Sequence, residues 1–259
     1  NEVWFTAAQK GTGLNLMSVS LSGKIRTTLD LPMGVTLQDI APDGSVLVAL
    51  NSKRLAMAFS ALGSHEDVEL SWHDWNVAKD ISHDGNFVLF EDASEAAGAG
   101  YAVALRKLDG SLPVRLGDGS AGGLSPDGKW AISISIGQPQ QVTLLPTGPG
   151  QPRSLDISGV ERIQTGWARF LADGQRLIAN ANERDHATRC YVLDPAGGKP
   201  RPVTPEGTVC GPSSPDARFV VGVGSTLGVA IYPIGGNDSP RGIPGPVSYT
   251  HLTLPTILR

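Results

Sequence analysis

Leu124-Ser125-Pro126-Asp127-Gly128-Lys129-Trp130-Ala131-Ile132-Ser133-Ile134 reads as a tight turn running into a strand. Pro at the second turn position presets φ, Asp bonds locally to the backbone, and Gly accepts the left-handed conformation that follows. A type I turn with a bulge of this kind joins two antiparallel strands. The Asp-Gly pair returns at Asp43-Gly44, Asp84-Gly85 and Asp173-Gly174, with a variant at Asp216-Ala217, at intervals of 41, 43, 46 and 43 residues. A period this even marks one supersecondary unit repeated along the chain. At Ala217 a positive φ would cost about 1–2 kcal/mol, so that turn is expected to relax.

Each turn leads into an apolar strand: Val46-Val48, Phe87-Phe90, Trp130-Ile132, Leu177-Ile178 and Phe219-Val221. A further strand follows near Leu16, Leu55, Val103, Val142, Val192 and Ile231, often closing on small or turn residues such as Leu108-Asp109-Gly110. Then comes a short strand with a Pro-Arg signature at Pro113–Leu116, Pro152–Leu155, Pro200–Val203 and Pro240–Ile243. The chain next enters a new inner strand, as in Leu37-Gln38-Asp39-Ile40, Val77–Ile81 and Trp167–Phe170. Four strands per unit is the grammar of a β-propeller blade. The expected fold is all-β, a propeller of four-stranded antiparallel blades over residues 1–245, six in number with seven or eight as alternatives. The first unit lacks an inner strand, which in a closed ring would come from a C-terminal continuation.

Bulk composition agrees. The 259 residues are 40% hydrophobic and 18% charged, with 32 Gly and 19 Pro, which suits many short strands joined by tight turns. A net charge of −4 without a basic stripe argues against nucleic-acid binding, because phosphate neutralisation needs clustered Lys and Arg. No apolar run reaches the roughly 18 residues that cross a bilayer, so this domain itself is expected to make no membrane contact. The chain opens on Asn1 and enters a strand at once, and we read it as a fragment truncated at both ends. Residues 246–259 break the rhythm; Val247–Arg259 looks like translated sequencing adapter, and is set aside as a non-native tail expected to be disordered. Cys190 and Cys210 fit no metal spacing and are expected as two separate buried thiols, a disulfide between neighbouring units being the alternative.

The Ser-Pro-Asp-Gly turn, the strand after it and the Tyr-Val-x-x-Leu-type strand resemble the WD40-like propeller repeats of bacteria, over residues 2 to about 245. These include the propeller of periplasmic TolB and that of prolyl-oligopeptidase-type enzymes. The stretches Val3–Ala7, Leu37–Ile40, Leu70-Ser71-Trp72 with Asp74-Trp75, Val103–Gly110 and Leu144–Gly148 are similar, more narrowly, to C-terminal propellers of bacterial Ser/Thr protein kinases. That resemblance implies a sensing or interaction half whose parent is anchored in the membrane with the propeller outside the cytoplasm.

The sequence of this chain carries no G-x-S-x-G elbow, kinase Gly-rich loop, H-R-D or D-F-G. Gly11-Thr12-Gly13 lacks a third glycine and a P-loop Lys, and reads as a hairpin loop. His65, His83 and His186 fall in or near loops without metal spacing. No catalytic residue, metal or cofactor is expected. Asp43, Asp84, Asp127, Asp173 and Asp216 share one backbone task as turn formers. Asp39, Asp80 and Arg169 share another register, four residues before the turn Asp, on the strand that lines a propeller's channel. Trp72-His73-Asp74-Trp75 brings aromatic and acidic groups together. With the loops expected at 91–100 and 180–189, it would lie on one face, where functional residues concentrate. The expectation is a non-catalytic propeller that binds a protein or small-molecule ligand through that face and the channel mouth. The alternatives are a TolB-like scaffold or the propeller of a serine peptidase.

Overall fold

The computed structural model describes residues 2–8, 14–31, 34–52, 54–64, 66–98, 100–224, 228–236 and 238–244. Gly11–Gly13, His65 and the tail 246–259 lie outside the described residues. Blade 1 comprises β1 (Glu2–Ala7), β2 (Asn15–Ser20) and β3 (Ile25–Leu29). Blade 2 has β4 (Gly34–Ile40), β5 (Val46–Asn51), β6 (Ala58–Ser60) and β7 (Asp67–Glu69). Blade 3 has β8 (Asn76–Ile81), β9 (Phe87–Asp92), β10 (Ala102–Lys107) and β11 (Val114–Asp118). Blade 4 has β12 (Ser120–Leu124), β13 (Trp130–Ile134), β14 (Val142–Pro146) and β15 (Arg153–Leu155). Blade 5 has β16 (Arg162–Phe170), β17 (Leu177–Asn182), β18 (Arg189–Leu193) and β19 (Arg201–Pro202). Blade 6 has β20 (Thr208–Ser213), β21 (Phe219–Gly224), β22 (Gly228–Pro233) and β23 (Arg241–Gly242).

Blades 3 to 6 are four-stranded antiparallel sheets in sequential order, whereas blade 2 is two hairpins and blade 1 has three strands. This is the all-β, six-blade propeller architecture that the repeat predicts. The four Asp-Gly pairs and Asp216-Ala217 each join a blade's inner strand to its second strand. In three of them a serine two residues before the Asp completes the turn. Ser125 Oγ donates to Asp127 Oδ1 at 2.6 Å and accepts the Trp130 N–H at 3.0 Å, and the Lys129 N–H donates to the same carboxylate at 3.1 Å. Ser82–Asp84 and Ser214–Asp216 repeat it. These serine hydroxyls are the first cause holding the Asp84, Asp127 and Asp216 carboxyls below the ordinary aspartate value.

Ala217 does not relax. Its φ of +56° sits beside the +69° of Gly128, and its N–H donates to Ser214 O at 3.0 Å as the glycines' do. The methyl group is 4% exposed and packs among Leu171, Val220 and Ile234, so burial offsets the backbone strain.

The core lies in the seams between blades. Ile132, Ile134 and Leu144 of blade 4 meet Ile163, Leu177 and Tyr191 of blade 5, and Leu89 and Val103 of blade 3 meet Ala121, Leu124 and Leu145 of blade 4. The inner strands bulge where they face the preceding blade, with register shifts at 37/39, 121/124, 163/168 and 210/213. A bulge releases backbone N–H groups from the ladder, and a side chain from the preceding blade accepts them. Thr6 takes the Leu37 N–H (2.9 Å), Glu91 that of Ala121 (3.1 Å), Gln140 that of Ile163 (2.7 Å) and Asn180 that of Cys210 (2.6 Å). Four seams therefore carry the same kind of cross-blade bond.

The expectation of two separate thiols is overturned: Cys190 and Cys210 form a disulfide. They stand on β18 and β20, facing strands of consecutive blades, with Cα atoms 5.3 Å apart, inside the range a disulfide spans.

Candidate functional site

Antiparallel alternation puts the start of every inner strand and the connection between second and third strands on one face; the Asp-Gly turns lie on the other. Trp72–Trp75 sits on the first of these faces, immediately before β8. Asn76, 1% exposed, anchors it: its Oδ1 accepts the Trp72 N–H at 3.1 Å and its Nδ2 donates to His73 O. His73 Nδ1 meets Asp92 Oδ2 at 2.6 Å, and Asp92, 1% exposed at the end of β9, also accepts the Ser94 N–H at 3.0 Å. The His73 ring stacks on Trp72 with centroids 4.4 Å apart. Trp75 is held through its backbone, which takes the Ala93 N–H at 2.9 Å and pairs with Leu55 in an isolated bridge. Both indoles stay exposed, Trp72 at 38% and Trp75 at 37%, and Asp74 is exposed between them. The result is an aromatic platform on a buried polar support. Elsewhere, between blades 3 and 4, a depression of about 430 Å³ is lined by Gly100, Asp118, Gly119, Ser135 and Ile136.

The loops expected at 91–100 and 180–189 are shorter than that reading. Glu91 and Asp92 belong to β9, and Asn180–Asn182 to β17, because their side chains are drawn into the seam and the platform. The connections proper are 93–101, with a 3-10 turn at Glu95–Ala97, and 183–188, where His186 Nδ1 meets Glu206 at 2.7 Å.

Asp80 and Arg169 come together and Asp39 does not join them. Asp80 accepts the Leu124 N–H at 2.8 Å and the Ile81 N–H at 2.9 Å. Arg169 reaches across blade 4 from blade 5 to Lys79 O at 3.3 Å, also donating to Gly166 O and Ala168 O at 3.2 and 3.0 Å. The crossing is open because the matching register of blade 4 is Gly123, where a Cβ would lie 2.8 Å from Arg169 Cδ and 3.1 Å from Asp80 Oδ2. Burial pushes the Asp80 carboxyl up, opposed by the Leu124 N–H and the Arg169 charge, and burial likewise lowers Arg169. Asp39 is exposed, and its carboxylate takes the N–H of its own neighbour, Ile40, at 2.8 Å.

Lys79 and Glu91 complete this inner cluster, and the sequence reading missed both. Lys79 Nζ lies 3.4 Å from Glu91 Oε2, which also accepts from Ser120 Oγ and the Ala121 N–H. A Cβ on Gly166 would stand 2.7 Å from Lys79 Nζ, so that ammonium also spans towards blade 5. Two cations and two carboxylates balance, and their polar atoms tie blades 3, 4 and 5 together. The signal available in the sequence was the run of charge at Lys79-Asp80 on an inner strand facing Gly122-Gly123.

No protein-family model and no curated protein sequence matches the chain. Solved structures do. TolB from Acinetobacter baumannii superposes with a TM-score of 0.58 at 20% identity, over 91% of this chain and 61% of that one. A second TolB, from Agrobacterium tumefaciens, gives 0.58 at 19%, over 85% of this chain and 87% of that one. A Mycobacterium tuberculosis puromycin-hydrolysing peptidase gives 0.56 at 14%, over 94% of this chain and 44% of that one. The chain is thus a β-propeller of the kind found in TolB and in prolyl-oligopeptidase-type peptidases. It spans about three fifths of the first of these proteins and under half of the peptidase.

Proposed function

We propose that this chain is a non-catalytic recognition propeller that binds a protein or small-molecule ligand through the Trp72–Trp75 face. Its setting in this proposal is the C-terminal sensor half of a bacterial Ser/Thr protein kinase. One observation carries the recognition role: two indoles are kept exposed while the groups beneath them, Asn76 and Asp92, are buried and hydrogen-bonded. Aromatic groups fixed before binding lose little entropy on contact and are the usual anchors of an interface. The non-catalytic reading rests on the use of the inner charged groups: Lys79, Asp80, Glu91 and Arg169 are engaged in holding blades to one another. A TolB-like scaffold and the propeller of a serine peptidase are the competing settings, and the likeness of fold favours both equally.

Two experiments test this. The purified chain is assayed against prolyl and aminoacyl naphthylamides and against ATP with a protein substrate; turnover would contradict the non-catalytic role. Quantitative affinity capture then compares the wild type with Trp72→Ala/Trp75→Ala, and partners retained at wild-type levels by the double variant would remove the platform from recognition. A longer reading frame separates the settings: an upstream kinase domain with an apolar span, a signal peptide, or a downstream G-x-S-x-G domain.

A further inference from the structure

Both cysteines of the chain are spent in one bond, and that bond joins blade 5 to blade 6. The positions of its two ends are held independently of the sulfurs. Asn180, 1% exposed on β17, accepts the Cys210 N–H at 2.6 Å and donates to Cys210 O at 3.4 Å. The Cys190 N–H donates to Thr204 Oγ1 at 2.9 Å, and Cys190 O accepts the Val203 N–H at 2.8 Å. Both ends are thus hydrogen-bonded in place within the seam, and the bond has to form before that seam closes over the sulfurs. Cys190 is 0% and Cys210 4% exposed, among Ile178, Val192, Val220 and Tyr232. Thiol–disulfide exchange needs an attacking thiolate to reach a sulfur, and in the folded chain neither sulfur is within reach. This is the placement of a permanent cross-link and not of a switch. Permanent cross-links of this kind belong to oxidising compartments, and reducing cytoplasm keeps such thiols apart.

We infer that the Cys190–Cys210 bond is a maturation step that locks the blade 5–blade 6 seam, and that the propeller matures and works in an oxidising compartment outside the cytoplasm. The oxidant is a disulfide, carried by a protein or a small thiol. One cysteine thiolate attacks it, forming a mixed disulfide and releasing one thiol; the second cysteine displaces the other. Two protons and two electrons leave the chain, the oxidant becomes two thiols, and the Sγ–Sγ bond forms. The inference stands apart from whatever the tryptophan face binds.

The test produces the whole chain in a bacterial host with and without export to the periplasm, quenching each sample in denaturant with iodoacetamide. The exported chain is expected to take up no label and to weigh about 2 Da less than its reduced form, and the cytoplasmic chain to take up label at both cysteines. Under native conditions a phosphine reductant is expected to leave the exported chain bridged. After reduction in urea and refolding, Tm should fall by about 6–12 °C, as for a cross-link that closes a loop of this size. Cys190→Ala/Cys210→Ala should melt with the reduced protein and ignore the reductant. Free thiols in the exported chain, or an unchanged Tm after reduction, would overturn the locking role. A fully bridged chain from the reducing cytoplasm would overturn the assignment of compartment.

Discussion

Gly128 shows what a single residue does in this fold. Its φ is +69°, and a Cβ placed there would meet nothing within 4 Å, so the cost of Gly128→Ala is purely conformational. Chemical denaturation should report a loss of about 1–2 kcal/mol. The reverse change at Ala217, already at +56° but buried, should move stability by only about 0.5 kcal/mol either way, because relief of strain and loss of a buried methyl oppose each other. Acid probes the same turns. Asp84, Asp127 and Asp216 have depressed carboxyls, so each contributes stability that is present above its unfolded value of about 3.9 and lost as pH falls through its lower folded value. Asp80 has the opposite sign: raised on folding, it favours the native state below the unfolded value and ceases to as pH rises through the folded one. Urea midpoints should therefore fall as pH drops below about 4, and Ser125→Ala should lessen that fall by removing the hydroxyl on Asp127. These turns were legible in the sequence because their chemistry spans only six residues, Ser125 to Trp130 in blade 4. Ala217 was misjudged because its compensation comes from Leu171 and Ile234, which only the folded chain brings to it.

Between elements, the repeated device is a bulged inner strand whose released N–H is taken by the blade before it. Asn180→Ala removes that acceptor from a buried N–H at Cys210, and thermal or chemical unfolding should show a loss of about 1–3 kcal/mol. Nothing in a linear reading announces these bonds. Glu91 and Ala121 are 30 residues apart, and Asn180 and Cys210 likewise, so their pairing depends on how one blade is set against the next. The same gap hid the disulfide and the Lys79–Glu91 pair. Asp80 and Arg169 could be singled out because they share a register with the turn, yet Asp39, in that register too, stayed exposed beside its own neighbour. Register places a residue on the inner strand; the residue facing it decides what the side chain does.

At the scale of the molecule, burial is uneven. Phe90, Ile132, Ile134, Leu177 and Tyr232 are almost wholly covered, whereas Leu47 and Leu50 of β5 and Ile25 of β3 are more than half exposed. Hydrogen exchange should accordingly be slowest in β9, β13, β17 and β21 and fastest in β3 and β5–β7, and uniform protection would contradict a stability built in the later seams. Above this frame the tryptophan face is the feature that frame alone does not require, since its indoles are held outward by a buried support. The claim that recognition happens there is tested most directly by photo-crosslinking, with a benzophenone amino acid placed at Trp75 or, on the opposite face, at His83. On that claim a bound partner is captured from position 75 and not from position 83. Capture from position 83 alone would contradict it.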